Sequence, residues 1–202
     1  LPPAAEERPE AGLKSAAVRS ETGEPERLVV DFETPMYIST QPPDSVPVSF
    51  APRFKHVWSW VNPTKAVATA EEPFCRGTTV VVSTVPGVND AAGRPLRVRE
   101  LSAETPSLEV LEVGSPVFQS ASRTRLSVRL NGPVEPAELV EFLTVRDAEG
   151  TDLRVEPVRR GPIAKPAFLV THPPECRALL LTVQPELRAQ GGTRGMDASF
   201  SA

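Results

Sequence analysis

The amino-acid sequence repeats itself at a spacing close to the length of one domain. The stretch "VVDFETPM", residues 29–36, aligns with "SVRLNGPV", residues 127–134, and "PFCRGTTVVVS" aligns with "PECRALLLTVQ". Three pairs of positions correspond at separations of 98, 101 and 99 residues: Pro35 with Pro133, Cys75 with Cys176, and Leu101 with Phe200. A near-constant offset of one domain length indicates two tandem copies of one module, each of which closes its own core.

Both copies consist of short apolar runs separated by turn-forming residues. Runs such as "LVVDF", "VWSWV", "RLSVRL" and "AFLVT" are bounded by Pro, Gly, Asn, Asp or charged residues, and the 23 prolines of the 202-residue chain disfavour long helices and central strands. The pattern predicts an all-β fold: two tandem Ig-like antiparallel β-sandwiches, at residues 27–104 and 105–202. One short helix is predicted within "EPAELVEF", residues 135–142, with Pro136 in its first turn.

The first 26 residues differ in composition from the rest of the chain. They contain Pro, Glu, Ala and Ser and almost no large apolar residues. This composition predicts a flexible leader over residues 1–26, because such a segment cannot bury enough apolar surface to become ordered. The alternative is a short helix at residues 12–19.

The charge balance excludes one class of function. The net charge is −4 and the isoelectric point is near 5.4. A surface that binds nucleic acid needs an excess of Lys and Arg, so we expect no nucleic-acid partner. No run approaches the roughly 18 apolar residues that cross a bilayer as a helix.

The residues that could carry catalysis or bind a metal do not form a known pattern. His56 and His172 occur singly, outside any H-x-x-x-H or C-x-x-C spacing, and no G-x-S-x-G or phosphate-binding glycine loop is found. A calcium loop at "VNDAAGRPL" is disfavoured because Asn89 and Asp90 are followed by two alanines, without alternating oxygen ligands. We therefore expect no catalytic, cofactor-binding or metal-binding residues, and no cofactor.

Two further features allow a structural and a functional interpretation. Trp58 and Trp60 share one face of their predicted strand, which favours a core tryptophan with a half-buried neighbour over an aromatic platform for carbohydrate. Arg159 and Arg160 stand beside Gly161 and a proline, which favours a solvated loop over a bait for a proteinase that cleaves after Arg.

Several of these stretches together resemble a known family. "LVVDFETPM" and "HVWSWVNPTKAVATAEEPFCRGTTVVVSTVPGVNDAAGRPL" resemble a bacterial Ig-like module with F-x-x-P-M, W-x-W and D-x-x-G-x-x-L motifs. Such modules occur near the N-terminus of bacterial alpha-2-macroglobulins, followed by a second module whose start is similar to "LNGPVEPAEL". The resemblance covers residues 27–202. It departs at Thr79 and Val80, where a Tyr is usual, and at the second closing turn, which has only Gly191 and Gly192.

The resemblance implies a scaffold rather than a reactive domain. Alpha-2-macroglobulins trap proteinases through a cleavable bait segment and, in many members, a thioester in a C-x-E-Q motif. Cys75 is followed by "RGT" and Cys176 by "RAL", so neither can form that thioester. We expect a non-catalytic, monomeric, N-terminal part of a longer inhibitor in the periplasm or cell envelope, which meets proteinases only through the full-length protein and is partnered by its other domains.

Two other functions are compatible with the same sequence. Tandem Ig-like modules also occur in cell-surface adhesion or carbohydrate-binding proteins, and as accessory domains of secreted hydrolases. The sequence downstream would discriminate among the three, because each requires a different following domain.

The two cysteines present a conflict. An even cysteine count in an exported protein favours a disulfide. However, Cys75 and Cys176 precede the same strand of separate copies, and about 20 Å or more would separate them if the modules stack end to end. Because a disulfide needs Cα atoms within about 7 Å, we predict two unpaired cysteines.

Overall fold

The computed structural model describes residues 11–21 and 24–202. These residues are almost entirely β-strand, and they divide into two compact units. The first unit contains the described residues up to Phe74 together with Thr79–Glu104, and the second contains Cys75–Thr78 and Thr105–Ala202. The chain therefore enters the second unit for four residues and returns to the first before leaving it after Glu104.

The first unit is a sandwich of two antiparallel sheets. Its strands are β1 (Leu13–Arg19), β2 (Arg27–Phe32), β3 (Val48–Ala51), β4 (His56–Asn62), β5 (Lys65–Ala70), β6 (Thr79–Thr84) and β7 (Glu100–Glu104). One sheet has the order β1-β2-β5-β4 and the other has the order β3-β6-β7. In strand letters these orders are ABED and CFG, the arrangement of a constant-type immunoglobulin domain.

The second unit has the same arrangement. Its elements are β8 (Val110–Val113), β9 (Val117–Ser120), β10 (Arg123–Leu130), α1 (Pro136–Glu141), β11 (Leu143–Arg146), β12 (Arg154–Pro157), β13 (Ala167–Thr171), β14 (Leu180–Val183) and β15 (Phe200–Ser201). The sheets are β12-β13-β10-β8, with β9 also paired to β10, and β11-β14-β15. Strands β8 and β9 thus share the place that β1 has in the first unit. The prediction of two tandem Ig-like antiparallel sandwiches is confirmed.

The strand registers agree with the repeat found in the sequence. In the first unit Val82 of β6 pairs with Leu101 of β7, and in the second Val183 of β14 pairs with Phe200 of β15. The offsets of 101 residues for the long strand and 99 for the last strand are those of the sequence alignment. The short helix is also found, at Pro136–Glu141 with its proline in the first turn.

Each unit has a hydrophobic core built from alternate residues of facing strands. In β5 and β6 the alternation is regular, with one buried residue followed by one half-buried residue throughout. The buried apolar residues of the first core include Leu13, Leu28, Val30, Phe32, Ala66, Ala68, Val80 and Val82. Those of the second include Leu126, Val128, Leu130, Phe168, Val170, Leu181 and Val183.

The predicted leader is wrong for part of its length. Residues Leu13–Arg19 form β1, an edge strand that pairs antiparallel with β2, and Leu13 is fully buried in the first core. The segment is a strand and not the helix that was considered as the alternative. Its inward-facing residues after Leu13 include a small alanine, Ala16, so the strand lacks the hydrophobic contrast that identified the other strands. Residues 1–10, 22 and 23, which belong to the same prediction, lie outside the described residues.

The domain prediction also differs from the structure at one internal segment. The predicted first domain, residues 27–104, includes Cys75–Thr78, whereas the structure groups those four residues with the second unit. The reason is a set of backbone hydrogen bonds described below. No helix in residues 11–21 and 24–202 is long and apolar enough to cross a membrane.

Candidate functional site

One of the two histidines, His172, is buried and is hydrogen-bonded at both ring nitrogens. His172 Nδ1 lies 2.8 Å from the carbonyl oxygen of Pro173, and because a carbonyl only accepts, Nδ1 carries the proton. Nε2 is then the acceptor for the hydroxyl of Thr124, at 2.9 Å. Thr124 is fully inaccessible and His172 nearly so. This side chain therefore joins β10 to the end of β13, and the hydroxyl that faces Nε2 is buried.

The other histidine belongs to an aromatic cluster. His56 Nδ1 lies 2.9 Å from the carbonyl oxygen of Phe54, and its ring makes an edge contact with Phe50 and with Trp58, with centroids 5.2 and 5.4 Å apart. Phe50 in turn stacks on Phe54. The cluster packs against the first core, so His56 has the role of a packed side chain at the start of β4.

Both tryptophans are half-buried and pack against the first core. Trp58 lies 5.4 Å from Phe50, and Trp60 lies 5.8 Å from Phe32 and 5.2 Å from Tyr37, measured between ring centroids. The Trp60 indole N–H donates to the carbonyl of Pro43 at 3.1 Å. These contacts pack part of each indole ring against the first core.

The turn between β6 and β7 is organised by one carboxylate. Asp90 accepts from the backbone N–H groups of Ala92 and Arg94, both at 2.9 Å, and from the Arg94 guanidinium at 2.9 and 2.7 Å. Gly93 has a φ of 77°, which favours glycine over any other residue at that point. The carboxylate oxygens accept from the turn's own donors, as expected of an Asx turn rather than a calcium loop.

The same contacts set the acidity of Asp90. Burial by itself would raise the pKa of this carboxyl, but the hydrogen bonds from Arg94 and from the backbone of Ala92 stabilise the ionised form. The net effect is a pKa below the usual value of 3.8. Asp90 is ionised at neutral pH and serves to close the turn.

A second turn of this kind was missed in the sequence. Residues 147–151, "DAEGT", repeat the spacing of "DAAGR" at 90–94 and connect β11 to β12. Asp147 Oδ1 accepts from the backbone N–H groups of Glu149 and Thr151 at 3.1 and 2.8 Å, and Gly150 has a φ of 84°. The shared D-A-x-G spacing could have identified it.

The two arginines considered as a bait lie in the loop between β12 and β13. Arg159 and Arg160 are exposed, in agreement with a solvated loop. Gly161 follows with a φ of 88°, and its N–H donates to Glu135 Oε1 at 3.1 Å, which ties this loop to the residue before α1.

Both cysteines are free thiols in the structure. Cys176 is half-buried, with its thiol directed at the carbonyl of Ala178 at 3.3 Å, and it stands shortly before β14. Cys75 is exposed, and its sulfur lies beside Gly191, which follows β14. The two thiols therefore have different surroundings, and the prediction of unpaired cysteines is confirmed.

The segment Cys75–Thr78 is held inside the second unit by backbone groups. The Gly77 carbonyl accepts from the N–H groups of Thr193 and Arg194 at 2.9 and 2.8 Å, and the Gly77 N–H donates to Pro106 at 2.8 Å. The hydroxyl of Thr105 accepts from the Thr78 N–H and donates to the Cys75 carbonyl, both at 2.8 Å. We call this arrangement the 75–78 clasp.

A surface groove of about 300 Å³ opens in the second unit. Its lining is mainly apolar and includes Phe118, Leu126, Ala178, Leu179, Leu181 and Ala202. Thr124, His172 and Cys176 also line it. Its volume is at the lower end of ligand pockets, which hold roughly 300–1,000 Å³. Phe118 at its rim is 76% exposed.

Titratable side chains do not gather into a metal site in the described part of the chain. Residues 11–21 and 24–202 contain no group of three or more His, Cys, Asp or Glu side chains placed to hold an ion. The described residues contain instead two turns closed by aspartate side chains, the 75–78 clasp and the apolar groove.

Comparisons with known proteins give no family. No protein-family model matches the chain, and no curated protein matches it. The chain is similar to two solved structures of the bacterial S-layer protein SbsC. One is its N-terminal part, at 15% identity and a TM-score of 0.35 over 95% of this chain and 43% of that one. The other is SbsC(31-844), at 14% identity and a TM-score of 0.36 over 94% of this chain and 25% of that one. The chain thus spans less than half the length of either.

Proposed function

We propose that this chain is a non-catalytic scaffold within a longer exported protein. The observation that carries the proposal is the commitment of the chemically capable side chains to the fold. Both ring nitrogens of His172 are hydrogen-bonded inside the second unit, and the Asp90 carboxylate accepts from its own turn. The hydroxyl that faces His172 Nε2 belongs to Thr124, which is fully inaccessible, so it is not placed to attack a substrate.

We propose further that the longer protein is a bacterial alpha-2-macroglobulin-like proteinase inhibitor. This part of the proposal depends on the resemblance of residues 27–202, and in particular on the order of the two modules. The bait and the thioester would then lie in other domains, since the residues after Cys75 and Cys176 do not fit a C-x-E-Q motif. The two sandwiches would connect those domains to the rest of the protein within the cell envelope.

The coding sequence downstream of residue 202 tests which kind of longer protein contains this chain. A segment with bait character followed by C-x-E-Q supports the inhibitor. Further Ig-like repeats ending in a surface anchor would replace the proposal with an adhesion or carbohydrate-binding array. A catalytic domain would replace it with an accessory role in a hydrolase.

A further inference from the structure

Strand β4 lies at the edge of its sheet, and one side of its backbone faces no other strand. The sheet order β1-β2-β5-β4 places it last, paired with β5 alone. Edge strands commonly carry charged residues or prolines that prevent pairing with another chain. In the part of the chain that the structure describes, β4 is the longest edge strand without a charged residue. Strand β1 is as long but carries Lys14 and Arg19, and the other edge strands have two to five residues.

The pairing with β5 shows which backbone groups of β4 face the free side. The Glu71 N–H donates to the Lys55 carbonyl at 3.0 Å, so these two residues form a hydrogen-bonded pair that continues the β4–β5 register. Such pairs recur at every second residue of an antiparallel ladder, so the N–H and C=O of Ser59 face β5 and those of Trp58 and Trp60 face the free side. Within the described residues no hydrogen bond to these tryptophan backbone groups is found.

The sequence of β4 is symmetric about Ser59, since its five central residues read V-W-S-W-V. Two β4 strands paired antiparallel about a two-fold axis at Ser59 would place Trp58 of each copy opposite Trp60 of the other. Val57 would lie opposite Val61 in the same way. At the two tryptophan pairs both backbones face the free side, so each pair can exchange two hydrogen bonds. The residue pattern and the hydrogen-bond pattern therefore share one centre, as a self-complementary interface requires.

The side chains of β4 also suit a second copy. Val57 and Val61 are 63% and 61% exposed, and β-branched residues that lie opposite each other stabilise an antiparallel pair. No residue of β4 is charged, so no like charges of the two strands would oppose one another. Seven residues on each side are fewer than the roughly 20–30 of a standard interface. The association should therefore be weak and should increase with protein concentration.

We propose that β4 is a self-association surface, at which two copies of this chain pair antiparallel about Ser59. The two four-stranded sheets would then form one continuous sheet. This inference departs from the monomer expected from the sequence, and it does not depend on which kind of longer protein contains the chain. In a scaffold, such a contact would link two copies through backbone hydrogen bonds.

Two double variants test both the association and its register. Val57→Lys with Val61→Lys places like charges opposite each other in the proposed pair, whereas Val57→Lys with Val61→Glu places opposite charges there. Both variants change the same two exposed positions, which lie about 13 Å apart within one strand. Sedimentation velocity is measured over a concentration series for the unaltered 202-residue protein and for both variants, at low ionic strength, where surface charges are least screened.

We expect the unaltered protein to change from monomer to dimer as its concentration rises. The variant with two lysines should associate at least about tenfold more weakly than the variant with lysine and glutamate, because like charges directly opposite each other destabilise a strand pair. An unaltered protein that stays monomeric up to millimolar concentration would overturn the inference. Equal association of the two variants would also overturn it, since the register would then be wrong.

Cross-linking at the two-fold axis provides a second measurement. The Ser59 residues of the two copies would form a pair without hydrogen bonds, whose Cα atoms lie about 4.5 Å apart, within the range of a disulfide. In a chain with Cys75→Ser and Cys176→Ser, we expect Ser59→Cys to form a disulfide-linked dimer on oxidation. The control is Ser102→Cys in the same background, at an exposed position of edge strand β7. Cross-linking of Ser59→Cys no greater than that of the control contradicts the proposed pairing.

Discussion

Substitution of Gly77 by alanine should destabilise the second unit through the 75–78 clasp. Gly77 has a φ of 64°, and a Cβ built there would lie 2.5 Å from the carbonyl oxygen of Arg194. The positive φ alone costs an alanine about 1–2 kcal/mol. The overlap must also displace the backbone of residues 193–194, whose two N–H groups donate to Gly77. Loss of one or both bonds adds about 1–3 kcal/mol, for a total of about 2–5 kcal/mol.

Gly161→Ala is the matched control. Gly161 also lies in the second unit and has a φ of 88°, but a Cβ there meets nothing within 4 Å. Its substitution should therefore lower the free energy of unfolding of the second unit only by the conformational cost of about 1–2 kcal/mol. The difference between the two variants isolates the close approach of Gly77 to residue 194.

The assay must report on the second unit. The chain has two tryptophans and one tyrosine, and all three lie in the first unit, so intrinsic fluorescence does not follow the second. Hydrogen exchange of peptides from β10 and β14, measured across a urea series, gives the unfolding free energy of the second unit directly. A Gly77→Ala variant no less stable than Gly161→Ala would refute the assignment of residues 75–78 to the second unit.

Three further predictions concern individual side chains. Thr124→Val leaves His172 Nε2 buried without its donor, so the free energy of unfolding of the second unit should fall by about 1–3 kcal/mol in the same exchange assay. Because the pKa of Asp90 in the folded protein is below 3.8, its stabilisation is complete above that pH and is lost as the pH falls through the folded-state value. Asp90→Asn should therefore flatten the acid limb of a pH–stability curve followed by tryptophan fluorescence, and an unchanged limb would contradict this. Thiol titration in denaturant without reductant should find two free thiols per chain, from Cys75 and Cys176, whereas none would show a disulfide.

The fold could be predicted from the sequence because the features that indicate it are local in the chain and occur in both copies. Alternation in β5 and β6 and the equivalence of Cys75 with Cys176 are visible in the residues themselves. The same is true of α1, whose proline stands in the first turn. Such features depend on side-chain type and spacing, which a single sequence records.

Other parts of the structure could not be found in this way. Strand β1 was missed because apart from Leu13 its inward residues have little hydrophobic contrast. The 75–78 clasp was missed for a different reason, since its bonds join distant parts of the chain through backbone groups, and Thr193 and Arg194 are more than one hundred positions from Gly77. Backbone groups make these bonds, so no side-chain pattern at residue 77 or at residues 193–194 indicates them. The groove beside Leu179 depends likewise on which strands end near one another.

The central proposal is that these two sandwiches serve as a scaffold and carry no reactive chemistry of their own. Its most direct test incubates the 202-residue protein with several proteinases and measures residual cleavage of a large protein substrate, beside the full-length parent at the same molar concentration. We expect the parent to protect the substrate in proportion to its amount and the 202-residue protein to leave cleavage unchanged. Stoichiometric protection by the 202-residue protein alone would contradict the account.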